Sequence, residues 1–317
     1  MLKVSIDSGK SQTKVSYMVD GEVKNFKLLS NVSQNENEIP TSDEAVAIRY
    51  TDSTGANKRY LVGELGKNDF THLRTKISKI NDAHKLLVLT SIAKVLEKCD
   101  LKECRTVEIS INTPVELFKQ ATQQTVIKEF YQNNDKPYEI YLNDTLYTFT
   151  INKVTPLFEG LGAVLLNKSK FNDDEVISID LGSLNTCFAT FNNCKPIGSL
   201  SSNFNIGVEN LLTDVEKILV REDMGNLSET NIQNIIKGVY KYPIETSVQN
   251  EINKICEDHV VLILHKLQSS KLNLSLPIIF SGGGAILLER FLKNTFKTAI
   301  FCDNALYANS QAGLKLL

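Results

Sequence analysis

The sequence predicts an α/β protein made of two similar domains, and three observations support this prediction. The chain has 317 residues, more than one compact hydrophobic core usually holds. Segments typical of strands alternate with segments of helical periodicity in both halves. A strand–turn–strand pattern at residues 4–15 recurs at residues 177–188. Because solenoid repeats are only about 20–50 residues long, a repeat at this distance indicates two half-domains of like design.

The two copies of this pattern share an aspartate and a glycine at matching positions. Asp7 and Asp180 are 173 positions apart, and so are Gly9 and Gly182. Glycine permits positive φ and leaves no Cβ in the way of a ligand, and the backbone N–H groups of such a turn form an anion-binding nest. An aspartate beside the turn can hold Mg²⁺ through water molecules. Two such turns therefore predict a clamp for a triphosphate, whereas either turn alone is equally typical of an ordinary hairpin.

Polar side chains and backbone groups around both turns are candidates for holding phosphates. Residues 9–11 look like the end of a P-loop, but Val4 occupies the position where that motif requires its first glycine. The candidates are Ser8, Gly9, Lys10, Ser11 and Lys14 in the first copy, and Gly182, Ser183, Asn185 and Thr186 in the second.

The composition is typical of a soluble globular protein, with 42% hydrophobic and 23% charged residues. No run of 18 uncharged apolar residues occurs, and the N-terminal strand leaves no room for a signal peptide. The six cysteines lack CxxC spacing and the four histidines lack metal-site spacing, so we expect reduced thiols in a cytoplasmic protein. A net charge of −2 argues against direct binding of nucleic acid.

One local cluster of basic residues lies before and within the first long helix. Such a cluster is typical of a solvated face, and a contact with a partner or another subunit is the alternative. The cluster comprises Lys67, Arg74, Lys76, Lys79 and Lys85.

The first half predicts strands, two helices and a small β-rich insertion at about residues 30–80. Asn81–Lys98 has apolar residues near helical spacing. Residues 113–116 supply an N-cap, a proline at the first helical position and a capping-box glutamate, so a second helix is predicted to begin at Thr113 and reach about Tyr131. The predicted strands are Leu2–Ile6, Glu22–Leu28, Ala45–Tyr50, Arg59–Val62, Thr106–Ile111, Tyr138–Leu142 and Leu146–Val154.

A predicted helix from Pro156 to Leu166 joins the two halves and presents Glu159 in its early turn. The helix macrodipole alone favours an acidic residue there. Its place between the two Asp–Gly turns instead favours a carboxylate that orients an attacking water.

The second half repeats the plan of the first. A buried strand runs into Gly282, Gly283 and Gly284, which would let the backbone approach a flat ligand closely; a plain strand–helix turn is the alternative. The predicted strands are Val176–Asp180, Asn185–Phe191, Pro196–Ser201 and Thr298–Phe301. One predicted helix ends at Val220, and three more span Ser228–Tyr240, Glu245–Gln268 and Ala305–Leu317.

These motifs, in this order, resemble those of the actin-like ATPase superfamily, which includes actin, Hsp70 and sugar kinases. The resemblance covers essentially the whole chain. It implies two RNase-H-like domains, residues 1–155 and 156–317, with a nucleotide cleft between them and the C-terminal helix packing back toward the first. It also implies that the protein binds ATP, or GTP, with Mg²⁺ and hydrolyses it.

The resemblance further implies roles for individual residues. Asp7 and Asp180 match the aspartates of the two phosphate loops, which hold the metal. Glu159 matches the residue that acts on the hydrolytic water. The remaining matches are the adenosine motif at Ser281–Ala285, the second connecting helix at Ala308–Gly313, and candidate purine or ribose contacts at Glu209 and Lys237.

Within the superfamily, the chain resembles bacterial plasmid-segregation actins of the ParM type in its length, its short β insertion and its glutamate at position 159. This implies a filament of identical subunits that segregates plasmid DNA through a separate DNA-binding adaptor, without contacting nucleic acid or membrane itself. The alternatives are a non-polymerising ATPase, a small-molecule kinase of the same superfamily, and a scaffold that binds nucleotide without hydrolysing it.

Overall fold

The computed structural model describes residues 1–35, 45–51, 57–64, 66, 79–171, 175–225 and 227–317. They form two compact units, one of residues Met1–Gly162 and Asn309–Leu317 and one of Ala163–Ala308. Each unit has its own sheet and its own buried apolar cluster. The boundary predicted after residue 155 stays a prediction.

The first unit is built on a nine-stranded sheet. Its strands are β1 (Leu2–Ser8), β2 (Gln12–Val19), β3 (Glu22–Leu29), β4 (Val32–Gln34), β5 (Ala45–Thr51), β6 (Asn57–Gly63), β7 (Glu103–Thr113), β8 (Tyr138–Leu142) and β9 (Thr145–Phe158). Their order is β3-β2-β1-β7-β9-β8-β5-β6-β4. On one face of the central strands, the apolar residues Val4, Ile6 and Ile109 are fully buried. The opposite face carries the buried polar residues Ser5 and Ser110.

The helices of this unit are α1 (Asp82–Lys98), α2 (Val115–Phe118) and α3 (Ala121–Gln132), and α4 (Leu161–Leu166) begins where the unit ends. Helix α1 begins where Asn81 accepts a hydrogen bond from the backbone N–H of His84 at 3.1 Å, an N-cap. Most of its residues are buried, so this helix lies in the core. The helix predicted at 81–98 is confirmed.

The second unit is built on a five-stranded sheet with four helices described in full. Its strands are β10 (Glu175–Leu181), β11 (Thr186–Asn192), β12 (Lys195–Phe204), β13 (Ile278–Ser281) and β14 (Ile300–Phe301), in the order β12-β11-β10-β13-β14. Its helices are α5 (Val208–Arg221), α6 (Glu229–Lys237), α7 (Thr246–Ser269) and α8 (Gly283–Thr295).

The two sheets share one strand plan. In the first, β1 pairs antiparallel with β2 and parallel with β7, which pairs parallel with β9. In the second, β10 pairs antiparallel with β11 and parallel with β13, which pairs parallel with β14. The predicted α/β fold with two domains of like design is confirmed.

The helix predicted from Thr113 to Tyr131 is wrong in two respects. Thr113 does not cap it, because its hydroxyl donates to the carbonyl of Ile111 at 3.3 Å. The segment also breaks into α2 and α3 at Gln120, whose backbone is extended with φ −104° and ψ 107°. The capping-box spacing identified a helix start but could not reveal the break.

The helix predicted from Pro156 to Leu166 is also shorter than expected. Residues 156–158 continue β9, where Pro156 pairs with Ile111 and Phe158 with Thr113 of β7. Only Leu161–Leu166 is helical. Glu159 therefore lies in the connection between strand and helix and not in a helical turn, because sheet pairing competes successfully for these residues.

The C-terminal helix α9 (Ala308–Lys315) packs against the sheet of the first unit through small polar residues. The hydroxyls of Ser310 and Ser16 lie 2.8 Å apart and form a buried hydrogen bond. A Cβ at Gly313 would lie 2.2 Å from Oγ of Ser5 and 2.5 Å from Oγ of Ser110. The glycine is therefore needed for this close approach.

Several predicted features fall partly outside the described residues. The predicted β-rich insertion at about residues 30–80 contains the strands β4, β5 and β6, and its residues 36–44, 52–56, 65 and 67–78 are not described. The basic residues Lys67, Arg74 and Lys76 lie among the latter. No helix among the described residues has the length and apolar character needed to cross a membrane.

Candidate functional site

The first Asp–Gly turn joins β1 to β2 and places Asp7 beside Lys14. These two residues are cross-strand partners, and the N–H of Gly9 donates to the carbonyl of Asp7 at 2.9 Å. A Cβ at Gly9 would lie only 2.6 Å from the carbonyl oxygen of Gln12. Gly9 is not among the residues with positive φ, so the turn requires glycine for space rather than for backbone conformation.

The second Asp–Gly turn joins β10 to β11 and brings its glycine equally close to a backbone carbonyl. The N–H of Gly182 donates to the carbonyl of Asn185 at 3.0 Å, and a Cβ at Gly182 would lie 2.9 Å from that oxygen. Because Gly182 and Asn185 are the repeat partners of Gly9 and Gln12, both turns use glycine for the same contact. The conformational reason predicted for these glycines, positive φ, is wrong for both.

A cluster of charged side chains surrounds Asp7 in the first unit. Lys14 Nζ lies 3.9 Å from Asp7 Oδ2, and Lys79 Nζ lies 3.9 Å from Asp7 Oδ1. Lys79 Nζ also lies 3.4 Å from Glu159 Oε1. The structure therefore brings together two predicted site residues, Asp7 and Glu159, through a lysine that was not predicted to belong to the site.

Local backbone contacts fix the position of Glu159. Its N–H donates to the carbonyl of Thr113, the last residue of β7, at 3.2 Å. The next residue, Gly160, has a φ of +85°, a conformation that L side chains rarely adopt. Its N–H donates to Oδ1 of Asn309 at 3.3 Å. The carboxylate is thus held at the end of a paired strand, where backbone hydrogen bonds limit its movement.

The charges of this cluster act on one another in a poorly solvated environment. Burial raises the pKa of Glu159; the Lys79 ammonium opposes this rise, and the Asp7 carboxylate adds to it. Burial lowers the pKa of Lys10, while the charge of Glu159 opposes that change and the charge of Lys79 reinforces it. Lys10 is therefore electrostatically part of the same cluster. Sites with mutually perturbed ionisable groups are typical of catalysis.

A buried histidine lies near this cluster. Burial lowers the pKa of His84 to about 3, and the charges of Lys79 and Lys10 contribute to the shift. Its imidazole is therefore neutral at pH 7, and Nδ1 has no hydrogen-bond partner among the described residues. The sequence does not indicate that Lys79 and His84 lie at this cluster. Lys79 precedes an ordinary amphipathic helix, and His84 lies within it.

In the second unit, the glycine-rich turn after β13 lies against Asp180. Asp180 and Ser281 are partners in parallel strands. Gly282 has a φ of +90° and a ψ of 165°, and a Cβ there would lie 2.4 Å from both Oδ1 of Asp180 and the carbonyl oxygen of Leu181. A Cβ at Gly284 would lie 2.5 Å from Cγ of Leu181, whereas Gly283 has no neighbour closer than 3.9 Å. Two of the three predicted glycines are therefore required by close packing.

The second turn also packs directly on the start of α5. The N–H of Glu209 donates to the carbonyl of Ser183 at 2.9 Å, and a Cβ at Gly207 would lie 2.0 Å from that carbonyl oxygen. The hydroxyl of Thr186 donates to the carbonyl of Ile206. Oε2 of Glu209 is buried with no hydrogen-bond partner among the described residues. The predicted contact of Glu209 with a purine or ribose stays a prediction.

Lys237 is the predicted site residue with the least structural support. It is the last residue of α6 and half-buried, and no described residue forms an ion pair with it. Its assignment to the purine or ribose stays a prediction.

The donor chemistry fits a hydrated Mg²⁺ better than a metal held entirely by the protein. Among the described residues no three His, Cys, Asp or Glu side chains form a metal-binding group. Mg²⁺ usually keeps several waters and takes one or two carboxylates together with substrate phosphates. Asp7 lies beside the first glycine turn and Asp180 beside the second. Their assignment to Mg²⁺ stays a prediction.

A family model matches the first part of the chain. The model of the family described as "Actin like proteins N terminal domain" matches residues 5–162. Among curated proteins, no sequence matches this chain.

Solved structures of actin-like proteins match the whole fold. Ta0583, an archaeal actin homologue, has a TM-score of 0.77 at 19% identity, covering 100% of this chain and 98% of its own; its complex with ADP has a TM-score of 0.72. The apo pSK41 ParM protein has a TM-score of 0.69 at 17% identity, with coverages of 99% and 96%. AlfA from the B. subtilis plasmid pLS32, in its filament, has a TM-score of 0.67 at 15% identity, with coverages of 100% and 98%. At these identities the likeness establishes the actin-like fold for the whole chain.

Proposed function

We propose that this protein is a nucleotide-dependent, filament-forming ATPase that segregates plasmid DNA through an adaptor protein. The observation that carries the catalytic part is the cluster of Asp7, Lys79 and Glu159 beside the Gly9 turn, with ion-pair distances of 3.4 and 3.9 Å. Phosphoryl transfer depends mainly on positioning and electrostatics. It is therefore favoured by charged groups that folding brings together beside a turn with backbone N–H groups.

Each residue has a role in this proposal. Backbone N–H groups of residues 8–11 and 182–185 hold the phosphates, with Lys14 near the first turn. Asp7 and Asp180 hold the hydrated Mg²⁺, which neutralises negative charge on the phosphates when it is bound. Glu159 orients the attacking water and accepts its proton; ion pairing with Lys79 favours the ionised carboxylate that this task needs.

The nucleotide is proposed to be ATP, with GTP as the alternative. The ADP complex of Ta0583 supports binding of an adenine nucleotide by this fold. In this chain the glycines at 282 and 284 allow close backbone approach beside Asp180, and the unpaired Oε2 of Glu209 offers an acceptor to a ribose or purine.

The assembly part rests on the likeness to AlfA, whose solved structure is a filament, and to a ParM protein. The first proposed partner is another copy of the same protein. A separate DNA-binding adaptor is the second, because a net charge of −2 does not favour direct contact with DNA.

The test is right-angle light scattering of the purified protein after addition of ATP and Mg²⁺, with phosphate release followed in parallel. A scattering rise that decays as phosphate appears supports a dynamic filament, and EDTA should abolish both signals. Phosphate release with flat scattering over a wide protein concentration range would instead favour a non-polymerising ATPase, and transfer of the phosphate to an added small molecule would favour a kinase.

A further inference from the structure

We propose that Lys79 binds the terminal phosphate of the nucleotide, in addition to pairing with Asp7 and Glu159. This inference rests on the proposed function and adds a residue to that site. The basic cluster around Lys79 predicted a solvated face, with a contact with a partner or another subunit as the alternative. The solvated face is the interpretation that the structure tests. That interpretation is wrong for this lysine, because its side chain is 7% exposed.

The backbone of Lys79 is anchored, so its ammonium has a defined position. The hydroxyl of Tyr131, a fully buried residue, donates to the carbonyl of Lys79 at 2.9 Å. Asn81, two residues later, caps α1. A lysine held in this way between two fixed points loses less conformational freedom when it binds a ligand than a surface lysine does.

The ammonium is buried without the hydrogen bonds that it can make. It has three N–H donors, yet no described residue accepts a hydrogen bond of normal geometry from it. Its nearest anionic oxygens, on Glu159 and Asp7, lie at 3.4 and 3.9 Å, which are ion-pair distances. A buried donor that is not satisfied within the protein calls for an external acceptor.

The surrounding charges favour a phosphate as that acceptor. The turn at residues 8–11 lies beside Asp7, and the charges of Glu159 and Lys79 both act on Lys10 within this turn. A phosphate presents several anionic oxygens, so it can satisfy an ammonium more fully than carboxylates at these distances. Because Lys79 also contacts Glu159, the residue assigned to the water, the phosphate that it reaches is the terminal one.

The competing explanation is that Lys79 only neutralises the buried Glu159. The two explanations predict different effects of removing Lys79 from the Glu159→Gln variant. This variant lacks the charge of Glu159, and it does not consume ATP during a binding measurement. We would measure the equilibrium dissociation constants of ATP and ADP, each with Mg²⁺, for full-length Glu159→Gln and for Glu159→Gln/Lys79→Met. The expected result is a loss of ATP affinity of about tenfold to a hundredfold with less than a threefold change for ADP.

A matched control is Lys85→Met in the same background. Lys85 is half-buried and lies six residues away, but its ammonium contacts the rings of Phe130 and Tyr138 rather than carboxylates. Both nucleotide affinities should stay within threefold. Lys79→Arg, which keeps the charge, should recover at least part of the ATP preference lost in Lys79→Met.

Equal losses for ATP and ADP, or no loss, would overturn the proposal. If Lys79→Met does not fold, Lys79→Gln is measured against the same two criteria. If the wild-type protein binds ATP but releases no phosphate, the ATPase proposal fails while the ATP-to-ADP ratio still decides the role of Lys79. If the wild-type protein binds neither nucleotide, both proposals fail.

Discussion

At the scale of single residues, the role proposed for Glu159 rests on its place in the chain and on its charged surroundings. The sequence singled it out by its place between two Asp–Gly turns, and the structure adds a partly buried side chain and an ammonium 3.4 Å away.

Glu159→Gln should lower the rate of ATP hydrolysis by about 10²–10⁴-fold, because the amide cannot accept a proton from water. Nucleotide affinity should change little, since the substitution preserves shape. Single-turnover phosphate release and a fluorescent-nucleotide titration measure the two effects. Glu116→Gln is the control, because the Glu116 carboxylate has the smallest effect among the groups that shift the pKa of Glu159. Turnover at the wild-type rate in Glu159→Gln would remove the residue from the mechanism.

His84 predicts a specific dependence of stability on pH. In the folded state its pKa is lowered to about 3, whereas in the unfolded chain it protonates near pH 6.5. The stabilising contribution is therefore complete above pH 6.5 and decreases as the pH falls toward 3. Between pH 7.5 and 5.5 the wild-type free energy of unfolding should fall by about 1.4 kcal/mol more than that of His84→Leu.

Urea denaturation of both proteins at the two pH values measures this difference. The carboxylates titrate in both proteins and cancel in the comparison. An identical pH dependence would mean that His84 is protonated in the folded state and that the buried neutral assignment is wrong.

At the scale of elements, the run of three glycines shows that identical residues can be needed for different reasons. Gly282 combines a φ of +90° and a ψ of 165° with a Cβ position 2.4 Å from a backbone oxygen. This backbone region is essentially restricted to glycine. Gly283, the first residue of α8, has neither constraint.

Gly282→Ala should therefore destabilise the protein by about 2 kcal/mol or more, through backbone strain and overlap with Leu181. Gly283→Ala should be neutral or stabilising by up to about 1 kcal/mol, because alanine is the better helix former. Chemical denaturation followed by circular dichroism compares them directly. Equal effects of the two substitutions would contradict the assigned geometry.

Sequence periodicity predicted most elements but could not decide between competing partners. The N-cap at Asn81 and the apolar spacing of α1 are local signals, and the helix forms as expected. Residues 156–158 also fit a helix locally, yet they pair with β7 because a paired strand satisfies their backbone within the buried sheet. The competing partner lies more than forty residues away in the sequence, so no local pattern reports it.

At the scale of the whole molecule, the proposed filament should depend on hydrolysis for its disassembly rather than for its assembly. Glu159→Gln filaments should form with ATP and Mg²⁺ and persist, whereas wild-type filaments should decay as phosphate is released. Light scattering followed by sedimentation measures both the assembly and the lifetime. If the variant filaments decay rapidly without phosphate release, disassembly does not depend on hydrolysis and the prediction is wrong.

The sequence by itself determined the double design of this protein. Two Asp–Gly turns 173 residues apart predicted two like domains, and both sheets have the same order and sense of their five common strands. These features can be read from sequence because strand alternation, turn composition and helix capping act between residues that are close in the chain.

Only the tertiary structure decided the composition of the charged cluster and the reasons for its glycines. Lys79 and His84 look like ordinary residues beside and within a helix, and they become candidate site residues because folding brings Lys79 against Asp7 and Glu159. Gly9 and Gly182 are needed for space and not for positive φ. In each case the deciding contact or dihedral angle depends on the packed backbone, and burial then makes the charges interact strongly.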